Sequence, residues 1–182
     1  MNNYPTTLEI QQTASVLRRL PRGFLPLEIF EAIAEKTVLS CLELSIFRLN
    51  RGRAEVLLTQ RPKDDHYWPN AWHLPGGVLL ATDKLGGYSS MFERILEKEL
   101  KGEQELLYEP EFVMHRFQET KRGGELVLEY VSQVAYSDGV LHEGKFFPVD
   151  ALPDKILTQY LEIIPAAVAA FKKHQLRKSG GL

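Results

Sequence analysis

Trp72-His73-Leu74-Pro75-Gly76-Gly77, followed by Phe92-Glu93-Arg94-Ile95-Leu96-Glu97-Lys98-Glu99-Leu100, is the stretch on which the reading of this chain turns. The first half is a proline-glycine turn. The second half is helical, because Met91, Phe92, Ile95, Leu96 and Leu100 recur at helical spacing, and Ser89 or Ser90 can cap a helix over Tyr88 to Lys101. A Pro-Gly-Gly turn alone signals a hairpin or loop. A tryptophan ahead and a helix carrying glutamates behind make it a candidate functional segment rather than a plain loop end.

Outward from that centre, Cys41 to Leu49 alternates as a strand, turns at Asn50-Arg51-Gly52 and continues as a second strand from Ala54 to Arg61. Pro62 to Pro75 is polar and aromatic and reads as a loop. Downstream, strands are predicted over Glu111 to Glu119, Glu125 to Tyr136 and Lys145 to Val149, and a closing helix over Asp154 to His174 with Pro165 inside or dividing it. Two helical patterns, Leu8 to Leu20 and Pro26 to Lys36, precede the first strand. The expected fold is α/β: a mixed sheet with helices on both faces, α/β/α, and an N-terminal helical extension. The expected organisation is an extension at 1–37 packed on a single domain at 38–176, with a disordered tail at 177–182.

A chain of 182 residues with 44% hydrophobic and 25% charged residues is long enough for one buried core. The formal net charge of −2 provides no general attraction to nucleic acid or anionic lipid, so any phosphate site must be local. The single cysteine, Cys41, sits in an apolar stretch and reads as a buried thiol in a reducing, cytoplasmic setting. The start lacks a signal-peptide pattern, and the apolar run Ile163 to Phe171 is too short to span a bilayer. Expected partners are therefore a small-molecule ligand, with no nucleic acid and no membrane. The pattern Leu157, Leu161, Ile164, Val168 and Phe171 reads as core, with a homodimer contact as the alternative.

The turn and helix together resemble the Nudix hydrolase family, whose signature is G-x5-E-x7-R-E-U-x-E-E-x-G-U, often after W-x-x-P-G-G. The resemblance runs from about Cys41 to Leu152 and implies a nucleoside diphosphate derivative as substrate. It also implies magnesium, or manganese, held by the Gly77 carbonyl and by helix carboxylates. Counting from Gly77 places Asp83 at the first acidic position, but Arg94 falls three residues late. From Arg94 onward the first glutamate of the signature becomes Ile95 and another becomes Lys98, leaving Glu99. An alternative register retains Glu99 and Glu103 one helical turn apart. Glu99 is acidic in both, and the first register sets Phe92, Leu96 and Leu100 on the core side.

This reduced helix resembles the GDP-mannose mannosyl hydrolase branch of the family, in which a histidine is the general base. The matching segment runs from Leu141 to Pro153 and implies His142 as base, with Glu143 a comparable candidate for base or late ligand. An imidazole with an ordinary pKa of ~6.5 suits that task. Arg61, in Leu57-Leu58-Thr59-Gln60-Arg61, is implied to contact the diphosphate, and Arg94 to orient the helix carboxylates. Trp68 is a candidate to stack on the substrate, whereas Trp72 reads as packing. The Lys121-Arg122 turn reads as a charged hairpin tip, with phosphate contact as its alternative. A catalytically inactive, ligand-binding domain of the same type is the competing reading, motivated by Ile95 and Lys98.

Overall fold

The computed structural model describes residues 4–83, 89–101, 105–136 and 144–179. In chain order these carry α1 (Thr7–Arg19), α2 (Leu27–Ala34), β1 (Leu39–Asn50), β2 (Arg53–Gln60), β3 (Trp72–His73), β4 (Gly76–Val78), α3 (Ser89–Leu100), β5 (Glu111–Thr120), β6 (Gly123–Gln133), β7 (Gly144–Pro148) and α4 (Tyr160–Ser179). The strands join in one mixed seven-stranded sheet ordered β3-β2-β1-β6-β5, with β4 on β1 and β7 on β2. The β1–β6 pair is parallel and the other pairs are antiparallel.

β1 and β2 turn through Arg51 and Gly52, both with positive φ, which matches the twist of a two-residue hairpin. They pair only from Phe47 to Asn50 against Arg53 to Val56, and then separate. The segment from Trp72 to Val78 enters the gap: β3 pairs with the end of β2 through Thr59 and Gln60, and β4 pairs with Cys41, Leu42 and Glu43 of β1. The fit requires glycine. A Cβ on Gly76 would lie 2.6 Å from the Leu42 carbonyl oxygen and 2.9 Å from Cγ of Glu43. The turn read from sequence as the end of a loop is therefore a wedge of two short strands within the sheet.

Alternation along β1 divides the core. Leu42, Leu44 and Ile46 face α3, where Met91, Ile95 and Leu100 are buried with Leu57 and Phe146. Phe47, Val56 and Leu58 face α4 and pack on Ile163, Ile164, Ala167 and Phe171. The expected α/β/α layering follows from these two opposite apolar faces. On α3, Phe92 and Leu96 only flank the cluster that Met91 and Ile95 fill. Ile95 is thus a core residue, and a carboxylate there would have to be buried in the apolar layer.

The last helix starts at Tyr160, later than the Asp154 expected from the periodicity. Residues ahead of it pair with the wedge: the Trp72 amide donates to the Lys155 carbonyl, and the Leu157 amide donates to the Trp72 carbonyl. Pro165 lies in the second turn of α4 and frees only the carbonyl one turn before it. The helix continues through Arg177 and Lys178 to Ser179, residues that composition alone assigned to a disordered tail.

α1 is capped by Thr6, whose hydroxyl accepts from the Glu9 amide while the Glu9 carboxylate accepts from the Thr6 amide, but none of its residues is buried. α2 is anchored: Ala34 and Phe30 pack with Leu39, Cys41 and Val127 against the sheet. Among the described residues no helix is long and apolar enough to cross a membrane.

Because the wedge has no room for a side chain at Gly76, Gly76→Ala is expected to lower unfolding stability by about 2 kcal/mol, the scale of an overpacked core site. Urea unfolding monitored by circular dichroism checks this; an unchanged midpoint would refute the close-approach account.

Candidate functional site

A cleft opens where the wedge meets the loop 61–71 and the strands β5 and β6. Glu43, Arg61, Trp68, Gly77, Arg122 and Glu125 are among its lining residues. Asp65 organises the loop: its Oδ1 accepts from the amides of Tyr67 (3.0 Å) and Trp68 (2.8 Å), and its Oδ2 accepts from Nη1 of Arg61 (3.0 Å). Burial alone would raise the Asp65 pKa, but the Trp68 amide and Arg61 outweigh it and hold the carboxyl below its usual range. Two guanidiniums then lie over the Trp68 ring, Arg61 5.2 Å and Arg122 5.1 Å from its centroid. Arg122, read from sequence as a hairpin tip, instead turns inward and is held by Glu125 through Nη2 at 2.6 Å. Arg61 Nε is buried with no hydrogen-bond partner among the described residues.

Glu43 and Tyr160, which line the cleft, belong to a row of buried polar groups on the face of the sheet that looks toward α4. The parallel register sets Glu43 beside Glu129, and Arg116 on β5 reaches both, Nε to Glu129 Oε1 at 3.1 Å and Nη2 to Glu43 Oε2 at 3.3 Å. The Tyr160 hydroxyl donates to Glu43 Oε1 at 2.6 Å. Burial first, and the neighbouring Glu43 second, push the Glu129 carboxyl well above the usual carboxylate range. That shift favours the protonated form of Glu129, whose Oε2 is buried without a hydrogen-bond partner among the described residues. Nothing in the sequence flagged this pair, since alternation predicted strands without saying which would be neighbours. Cys41 lies beside it; burial, reinforced by Glu125, pushes its thiol up to about 12, so it is inert as a nucleophile.

His73 at the wedge is buried. Its Nδ1 lies 2.7 Å from the Leu74 carbonyl, which can only accept, so the proton sits on Nδ1 and Nε2 accepts from the Thr59 hydroxyl at 3.2 Å. Burial, then the positive charge of Arg61, depress its pKa to about 3.

Arg94 reaches back from α3 to the turn. It donates to Asp83 (2.8 Å from Nη2) and to the Val78 carbonyl (3.3 Å), and its Nη1 would lie 3.9 Å from a Cβ on Gly77. Among the described residues its carboxylate partner is Asp83, ahead of the helix. Gly77 pairs with Leu42 in the ladder. Glu99 is 2% exposed; Lys98 Nζ lies 2.9 Å from its Oε1, and its Oε2 is buried without a partner among the described residues. The structure brings Arg61, Trp68 and Gly77 to one cleft, with Arg94 behind Gly77, while Glu99 is not among the described lining residues. Glu103, His142 and Glu143 lie outside the described residues. Among the described residues no three His, Cys, Asp or Glu side chains converge as a metal site.

No family model matches the chain, and no curated protein matches it. Solved structures do. The Nudix domain of Shewanella oneidensis NrtR, complexed with ADP-ribose, is 18% identical and superposes with a TM-score of 0.57 over 81% of this chain and 99% of that one. An Ap4A hydrolase from C. elegans is 16% identical, with a TM-score of 0.56 over 75% and 99% of the two chains. A MutT/Nudix family protein from Listeria innocua is 16% identical, with a TM-score of 0.54 over 77% and 98%. At such identities the likeness establishes the fold: this chain has the Nudix fold.

His73 and Glu129 tilt stability in opposite directions. Folded His73 takes up its proton only near pH 3, whereas in the unfolded chain it does so near its ordinary 6.5, so acidification below about 6.5 favours unfolding. Folded Glu129 keeps its proton above the ordinary glutamate value of 4.5, so its contribution is complete below that value and is lost as pH rises. Glu129→Gln, which imitates the protonated form, is expected to gain on the parent protein by up to about 1.4 kcal/mol per pH unit as pH rises from 5. Urea midpoints across that range check it, and parallel profiles would refute the protonated carboxyl.

Proposed function

We propose that this protein hydrolyses a nucleoside diphosphate derivative in a magnesium-dependent reaction, with a nucleotide sugar of the GDP-mannose kind as the leading substrate class. The observation that carries the reading is Trp68 beside the Arg61 and Arg122 guanidiniums, with Arg61 Nε left without a partner among the described residues. An aromatic face next to a half-satisfied guanidinium suits a ligand that joins a ring to a charged diphosphate. The ADP-ribose bound by the NrtR domain is such a ligand.

Glu99 suits a hard divalent cation, because its buried Oε2 lacks a partner among the described residues and an orphaned carboxylate oxygen is costly to bury. Gly77 and Glu103 complete the proposed ligand set. When bound, magnesium or manganese supplies charge neutralisation at the diphosphate. Arg61 offsets the charge that gathers on the leaving diphosphate. Arg94 holds the glycine turn against α3 through Asp83 and Val78. Water adds to the anomeric carbon as its bond to the diphosphate oxygen breaks, and the proton passes to His142, with Glu143 as its alternate. Residues 38–176 carry this chemistry, and α2 of the N-terminal extension packs on them.

A second reading has its own observation. Lys98 places an ammonium 2.9 Å from Glu99, where a cation would otherwise bind, and Ile95 is buried in the core. These favour a domain that binds a nucleotide without turning it over.

Incubation with magnesium and a panel of nucleotide sugars and dinucleotides separates the readings. Release of free sugar and a nucleoside diphosphate supports the proposal, a mononucleotide product indicates pyrophosphate hydrolysis, and calorimetric binding with no product selects the second reading. In the turnover case Glu99→Gln is expected to reduce the rate roughly 10²-fold, the scale of a lost charge-stabilising group, and an unchanged rate would remove Glu99 from the mechanism.

A further inference from the structure

The loop that presents Trp68 is gripped by two side chains that do not line the cleft, Glu31 of α2 and Lys121 of the β5–β6 turn. On α2, Glu31 Oε1 accepts from the Tyr67 hydroxyl at 3.0 Å, and His66 Nε2 lies 3.2 Å from the same oxygen. From the β5–β6 turn, Lys121 Nζ donates to the Tyr67 carbonyl at 2.7 Å. Tyr67 thus has its ring end tied to the N-terminal extension and its main chain tied to the hairpin. Its ring centroid lies 5.4 Å from that of the next residue, Trp68.

The two anchors are themselves fixed to each other. Ala34, at the end of α2, is buried against the sheet, and its carbonyl oxygen would lie only 2.8 Å from a Cβ at Gly123, whose φ is +113°. Only glycine lets the hairpin turn come so close to α2. The turn carries Lys121 and Arg122 on either side of the clamp: Lys121 holds Tyr67, and Arg122 covers the Trp68 ring. The loop does not depend on Glu31 for its own fold, because Asp65 already binds the Tyr67 and Trp68 amides and Arg61. Glu31 adds orientation to a loop that is already formed.

We propose that Glu31 is a positioning residue for the cleft: by holding Tyr67 it sets the Trp68 indole beside Arg61 and Arg122, so that affinity for a nucleoside diphosphate depends on a residue of the N-terminal extension that touches no ligand. The inference rests on the reading of the cleft as a nucleotide seat. Its physical basis is that a bound ring gains most from an aromatic face held in place beforehand, whereas a partly exposed hydrogen bond adds little to global stability.

The chain has two tryptophans, so Trp72→Phe leaves Trp68 as the sole reporter. In that background, Glu31→Ala is expected to make Trp68 more accessible to acrylamide and to weaken binding of ADP with magnesium about tenfold, with the urea midpoint unchanged. Tyr67→Phe should behave alike, whereas Glu31→Gln, whose amide oxygen still accepts from Tyr67, should restore both readouts. Unchanged accessibility and affinity in Glu31→Ala would overturn the proposal, as would a fall in the urea midpoint that accounts for the lost affinity. If ADP gives no signal with the parent protein, the nucleotide reading fails, and acrylamide accessibility alone then decides whether Glu31 positions Trp68. Should Trp72→Phe not fold, fluorotryptophan resonances of the otherwise unaltered chain report the same two environments.

Discussion

The approach of Gly76 to the backbone of β1 is the contact from which the rest of the molecule follows. β1 and β2 leave their hairpin as partners and then part, and the strand hydrogen bonds they lose are recovered only because Trp72 to Val78 threads the gap. Unpaired backbone groups at that depth would each cost on the order of 1–3 kcal/mol, so the wedge is needed to close the sheet. It also places three things at once. Gly77 comes to the cleft, His73 is buried against Thr59, and Trp72 ties the segment ahead of α4 to the sheet.

Charge is arranged around that wedge in two layers. On the side toward α4, Arg116 offsets a pair of glutamates that parallel pairing forces together, and the raised pKa of Glu129 eases the protonation that relieves the remaining repulsion. Burying two like charges would otherwise be prohibitive. On the side toward α3, Arg94 binds Asp83 and the Val78 carbonyl, tying the helix to the turn. The helix position after that arginine belongs to Ile95, which spends it on the apolar core. The carboxylate that remains buried on α3 is Glu99, with Lys98 on one oxygen and no partner on the other among the described residues.

The N-terminal extension divides by the same logic of burial. α1 is locally self-consistent, with a capping box and basic residues in its last turn, yet none of its residues is buried. α2 enters the apolar cluster through Ala34 and meets the Tyr67 loop through Glu31. An extension of this kind acts on the cleft through the loop it braces.

Much of this was legible in the amino-acid sequence. The period-2 alternation of β1, the turn at Arg51-Gly52, the helical spacing of α3 and the Pro-Gly-Gly turn each encode a local preference that the fold keeps, and together they sufficed for an α/β/α sandwich around a glycine turn. Local preference does not encode which strands become neighbours. The pairing of Glu43 with Glu129, the inward turn of Arg122, the partnership of Arg94 with Asp83 and the hold of Glu31 on Tyr67 all join residues brought together only when the sheet closes. The start of the last helix was misjudged for the same reason, because Trp72 claims the backbone at Lys155 and Leu157. The sequence by itself determined the elements and the turn, since these rest on the chemistry of adjacent residues. The tertiary structure decided which charges are buried together and which loop presents Trp68, since these depend on contacts between segments far apart in the chain.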